Sequence, residues 1–120
     1  MTATPRIRQP RFADDMWYIG SPKKLSAAMD RYLTSEPADL IPEHLLGLVV
    51  PHAGHRFSGH VAGSGFGYLM PDTFDTVILL GPDHRGAAPG RTSTPAADLW
   101  RTPLGDIPVA WEILEPIRKE

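Results

Sequence analysis

Two short apolar runs restrict the fold more than any other feature of this chain: LLGLVV at 45–50 and TVILLG at 76–81. Each is continuous, carries β-branched residues and ends in turn residues, Pro51 in one case and Gly81-Pro82 in the other. That is the pattern of a strand buried on both faces. Between them, SGHVAGSGFGYLM (58–70) reads as a helix with Ser58 as its N-cap. Gly59, Gly63 and Gly67 recur at every fourth position and share one helix face. An interior glycine costs ~1 kcal/mol relative to alanine, so three in register predict close approach of this helix to a sheet. A strand-helix-strand unit joins its strands in parallel through a right-handed crossover. The fold class expected is α/β, with a parallel or mixed sheet containing such a crossover.

Around this unit the chain divides simply. Residues 1–20 read as an extended or irregular segment. Residues 21–35 read as a helix: Ser21 caps it, Pro22 takes the first position, and Leu25, Ala28, Met29, Tyr32 and Leu33 form one apolar face. Residues 45–81 hold the strand-helix-strand unit. Residues 82–111 read as a loop followed by short extended segments around Leu104–Asp106, with Pro108 at an edge position and Asp98 and Asp106 as turn residues. A further helix begins at Trp111.

Composition narrows the function classes. The chain has 120 residues, enough for one modest core, with 42% hydrophobic and 22% charged residues. A net charge of -2 with dispersed Lys and Arg argues against a nucleic-acid surface. No cysteine is present, which removes disulfides and thiolate metal ligands from this chain. The basic start MTATPRIRQPRF has no apolar stretch behind it, and no run approaches the ~20 residues of a membrane span. The expected location is cytoplasmic, with neither membrane nor nucleic acid as partner.

The chemistry gathers where the apolar runs end. His52 follows Val50 by two residues, and His84 follows Leu80 by four. Parallel strands end on one edge of a sheet, the edge at which open α/β sheets bind ligands, and neighbouring strands lie ~4.8 Å apart. Loops this short can bring both imidazoles to one pocket, half of a metal site of the His-and-carboxylate kind that iron(II) and zinc occupy. A pair of hydrogen-bonding loop histidines is the other account, and the residues alone leave both open. His55 and His60 are candidate bases by proximity. Asp83 and Arg85, flanking His84, are candidate substrate-binding groups; in GPDHRG an anion could meet both the backbone and Arg85. HAGH (52–55) also matches the His-x-Gly-His pattern of nucleotidyl transferases, but neither their upstream turn nor a later Lys-Ser-rich loop is present. GSGFG (63–67) falls inside a helix, so it reads as a packing face and not a phosphate loop.

Taken in order, RFADDMWYIGSPKKL, VVPHAGHRFSGHVA, VILLGPDHRG and WRTPLGDIPV resemble the motifs of the Memo family, also called AmmeMemoRadiSam system protein B. The resemblance runs from about residue 11 to 115. It implies a fold similar to the class III extradiol dioxygenases, which use non-haem iron(II), and it carries the metal-ligand role onto His52 and His84. Iron(II) is the metal it implies first, with zinc or copper as alternatives. The family usually has Tyr at position 55 and Ser or Asn at position 83, so pocket polarity departs from the pattern here. Memo proteins are also much longer, and their remaining segments supply further strands, histidines and acidic residues. The chain is therefore expected to be the N-terminal portion of one Memo-like domain. The expected function is metal binding related to the dioxygenases, with an oxidoreductase-like reaction in the full-length form and none in this portion. The alternative is a non-catalytic module that uses the same cleft to bind a peptide or protein. A small-molecule or peptide ligand is the partner expected.

Overall fold

A computed structural model describes residues 3–33, 45–69, 74–86 and 88–118. The architecture is α/β, with three helices and a mixed three-stranded sheet. In chain order the elements are β1 (Ile7–Arg8), α1 (Pro22–Leu33), α2 (His55–Phe66), β2 (Leu99–Thr102), β3 (Gly105–Pro108) and α3 (Trp111–Arg118).

Helix α1 forms as its pattern predicts. The Ser21 hydroxyl accepts from the Lys24 amide at 3.4 Å and Pro22 occupies the first turn, where a missing N–H costs nothing. Leu25 and Ala28 are buried, Met29 and Tyr32 are half-buried, and Leu33 escapes the face. The expected helix end at 34–35 lies outside the described residues.

Helix α2 starts earlier than expected, and its cap is Gly54, which makes no side-chain cap bond. Ser58 sits within the helix, buried, and its hydroxyl donates back to the Ala53 carbonyl at 3.1 Å. The glycine face packs against α1, not against a sheet. A methyl on Gly59 would lie 2.7 Å from the Tyr32 ring, and one on Gly63 would run into the Tyr32 carbonyl. Small residues are needed because two helix backbones approach closely here. On another side of α2, a methyl on Gly65 would meet Val50 at 2.7 Å, so the 45–50 run lies alongside this helix.

The sheet is built from segments other than the two apolar runs. Its order is β1-β2-β3, with β1 parallel to β2 in the register Ile7↔Leu99 and β2 antiparallel to β3. Residues 45–50 and 76–81 carry no strand pairing in this structure. The reason lies in their surroundings: Leu46, Val49 and Leu80 are 100%, 103% and 85% exposed. A two-faced apolar strand needs a neighbour at its edges and a layer on each face, and the described residues provide neither.

Two aspartates expected in turns hold the sheet together instead. The Asp98 carboxylate accepts from the Arg6 amide at 2.7 Å and from two guanidinium nitrogens at 3.1 and 2.7 Å, welding β1 to β2. Arg6 thereby draws the Asp98 carboxyl down to about 2. Asp106 accepts a bidentate pair from Arg101, its cross-strand partner, at 2.8 and 2.7 Å. Pro108 closes β3, an edge strand, as expected. Beneath the sheet, the Trp111 indole N–H donates to the carbonyl of buried Ala97 at 3.0 Å, tying α3 to β2.

Candidate metal centre

His52 stands in the loop Pro51–Gly54 that enters α2, and three interactions give this loop its shape. The Ser58 hydroxyl holds the Ala53 carbonyl. The His55 amide donates to the Trp17 carbonyl at 3.0 Å, and the Tyr18 hydroxyl reaches the His52 carbonyl at 3.4 Å. Gly54 is required by that same approach, since a Cβ there would lie 2.6 Å from the Trp17 carbonyl oxygen. The segment doing the clamping is itself a tight loop. Asp14 caps the Met16 and Trp17 amides at 3.0 and 3.2 Å, and Asp15, at φ 62, accepts from the Gly20 amide at 3.0 Å. An aspartate tolerates the left-handed region better than most residues.

His84 stands in a turn of a different make. The Asp83 carboxylate accepts from the Arg85 amide at 3.1 Å and from the Ala88 amide at 2.8 Å, and Gly86 takes φ +61 to let the chain reverse. Asp83 is thus a loop-former whose oxygens face backbone N–H groups. Arg85 projects from the same turn.

These two loops bring His52 and His84 together. Their Nε2 atoms are 3.0 Å apart, their ring centroids 5.2 Å apart, and the rings are inclined at 42°. Two imidazole nitrogens bound to one metal at ~2.0–2.1 Å lie ~3.0–3.4 Å apart, depending on the angle between them. The pair fits two adjacent coordination positions. It equally makes an N–H···N hydrogen bond, one ring donating and the other accepting. Among the described residues, no group of three or more His, Cys, Asp or Glu could hold a metal ion. The donor set on hand is therefore two imidazoles.

The two candidate bases, His55 and His60, are not brought to this pair. His55 turns toward the N-terminal segment. Its Nδ1 accepts from the Ile19 amide at 3.2 Å, and its ring meets Tyr18 edge-on at 5.0 Å. Burial holds its imidazole below the ordinary histidine value, in the neutral form. His60, one helical turn further along α2, lies exposed against the Tyr32 ring at 5.6 Å. Missed in the sequence were Trp17 and Tyr18, which position the His52 loop. The only signal available was an aromatic dipeptide in a segment without periodicity.

Kinship rests on the sequence comparisons. The family described as Memo-like protein matches residues 8–120. A MEMO1 family protein of Archaeoglobus fulgidus is 37% identical over 114 residues, covering 94% of this chain and 40% of the relative. One from Saccharolobus islandicus is 33% identical over 87% of this chain and 40% of its own length, and one from Methanosarcina barkeri is 36% identical over 91% and 38%. The chain belongs to the Memo family. It spans about two fifths of the length of these curated relatives. No solved structure matches it.

Proposed function

We propose that this chain carries part of a Memo-type metal centre, in which His52 and His84 bind a divalent metal through Nε2. The observation that supports this reading is the 3.0 Å separation of those two nitrogens, reached from loops 32 residues apart in sequence. Iron(II) is the metal the family resemblance favours, with zinc or copper as alternatives suited to imidazole. When bound, the metal would supply Lewis acidity or, as iron(II), a place for O2. The chain's own residues do the rest. The Trp17–Tyr18 clamp and the Asp83 turn hold the two imidazoles so that little reorganisation is needed on binding. His55, kept neutral by burial and with Nδ1 held by the Ile19 amide, is one of the two candidate bases, with His60 the other. Further ligands, and any oxidoreductase-like reaction, belong in this reading to the longer form that the relatives represent. Calorimetric titration with zinc, and with iron(II) under anaerobic conditions, tests the proposal. Binding near one equivalent that disappears in both His52→Ala and His84→Ala is expected; binding unchanged in either variant contradicts it.

One observation favours the second reading, a non-catalytic module for a peptide or protein. The cleft beside the clamp is largely apolar, lined among others by Tyr18, Ile19, Leu25, Met29 and Leu104. Under that reading metal would leave ligand binding unchanged.

A further inference from the structure

Six arginines of this chain fall into two contrasting groups. Arg6, Arg101 and Arg118 are neutralised by Asp98, Asp106 and Glu115 at 2.7, 2.7 and 3.0 Å. Arg8, Arg11 and Arg85 have no carboxylate partner among the described residues. These last three converge. With Gln9 and Phe12 they line one open cleft of about 550 Å³, and no acidic side chain lines it.

Three unpaired guanidinium groups repel one another, so their convergence calls for something that holds each in place. Arg8, on β1, lies over the ring of Trp100, its parallel-register partner, with Cζ 5.0 Å from the centroid. Arg85 is set by the Asp83 turn, whose carboxylate is occupied by the Arg85 and Ala88 amides. Arg11 follows Pro10 directly and precedes Phe12, in the irregular stretch after β1. The acidic group nearest in sequence to Arg85 is thus directed at the backbone, leaving the guanidinium for an outside anion.

A second feature gives the ligand a shape. Arg8, Arg11 and Phe12 also line the adjoining cleft, about 490 Å³, whose other walls include Tyr18, Ile19, Leu25, Met29 and Leu104. A positively charged mouth thus continues into an apolar trough. Guanidinium forks match carboxylate and phosphate oxygens, and an apolar trough takes a hydrocarbon or aromatic body.

We propose that Arg8, Arg11 and Arg85 form an oxyanion subsite for a small organic acid, a molecule carrying a carboxylate or phosphate on an apolar body that lies toward Ile19 and Met29. The subsite stands on the arginine geometry and does not depend on metal at His52 and His84. Because Arg85 directly follows His84, an anion held there would be anchored beside the histidine pair.

The test is NMR titration of the chain in metal-free buffer with four probes: phenyl phosphate, benzoate, inorganic phosphate and benzyl alcohol. Phenyl phosphate and benzoate should bind in the submillimolar to millimolar range, shifting the arginine Nε–H signals. Inorganic phosphate should bind more weakly, and benzyl alcohol not detectably. Arg11→Gln and Arg85→Gln should each weaken the two aromatic anions about tenfold, as loss of a charge-assisted fork does. Lys23→Gln, on α1, should change nothing, and neither should His52→Ala, which separates this proposal from the metal reading. Arg8 is left intact because it also packs on Trp100. Binding that is equal in wild type and both arginine variants would overturn the proposal. So would equal binding of benzyl alcohol, or anion binding seen only with anionic vesicles or phosphopeptides.

Discussion

At the scale of single residues, the neighbours of a histidine decide which task it can perform. His52 and His84 turn Nε2 toward each other, whereas His55 spends Nδ1 on the Ile19 amide. This gives His55 a definite pH signature. Its pKa is lowered in the fold, so the unfolded chain takes up a proton first as pH falls below the ordinary histidine value of ~6.5. The stability that neutral His55 contributes is complete above that value and is lost as pH falls through the lower folded pKa. Protonating Nδ1 would also remove the acceptor that Ile19 uses. The denaturation midpoint of the wild-type chain should therefore fall between about pH 7 and pH 5, and this dependence should flatten in His55→Gln. An equally steep dependence in the variant would place the titrating group elsewhere.

Among the elements, packing makes opposite demands on two glycine positions. Gly63 faces the Tyr32 backbone where α2 meets α1, while nothing lies within 4 Å of a Cβ at Gly47. Overpacking a close helix contact costs typically ~1–3 kcal/mol. Gly63→Ala should lose stability of that order in urea denaturation, and Gly47→Ala should lose almost none. Equal effects would mean that the helix contact is not tight. The β1–β2 junction has its own signature. Because the Asp98 carboxyl is drawn down to about 2 by Arg6, its contribution is intact above the ordinary carboxylate value and is lost as pH falls from there toward 2. Arg6 also lies over Trp111, 5.8 Å from the ring centroid. Acid titration of the wild type should thus change tryptophan emission over that range, and the change should be absent in Asp98→Asn.

The elements also show what the sequence could and could not reveal. Helix α1 was legible because its apolar face repeats with helical period and Ser21-Pro22 marks its start. That His52 and His84 approach each other was legible, although the parallel strand ends from which it was expected are not formed here. The means of that approach was not. It rests on the Trp17–Tyr18 clamp and the Asp83 turn, which are single contacts without periodic signal. β1 has two residues, too few for alternation to register, and its partner Asp98 lies 92 positions from Arg6. The glycine stripe of α2 correctly signalled a close approach, but a stripe says nothing of what approaches, and here it is Tyr32.

Across the whole molecule, the apolar runs dominate. Val77, Ile78, Leu79 and Leu80 are all exposed, as are Leu46 and Val49, while among the described residues the buried apolar side chains are Leu25, Ala28 and Ala97. An exposed apolar stretch with unpaired backbone is a template for association. The 120-residue chain on its own should self-associate with rising concentration in sedimentation velocity, and Ile78→Lys with Leu80→Lys should shift it toward monomer. A monodisperse wild-type monomer with a cooperative melt would show that the runs are covered in solution.

In the proposed metal centre His52 and His84 share one metal. Extended X-ray absorption at the metal edge of the iron- or zinc-loaded chain addresses it most directly, because imidazole rings give a multiple-scattering pattern that water and carboxylate do not. Two imidazole nitrogens at ~2.0–2.2 Å are expected, with no metal retained by His52→Ala or by His84→Ala. A first shell of oxygen alone, or two imidazoles that persist in either variant, would contradict it.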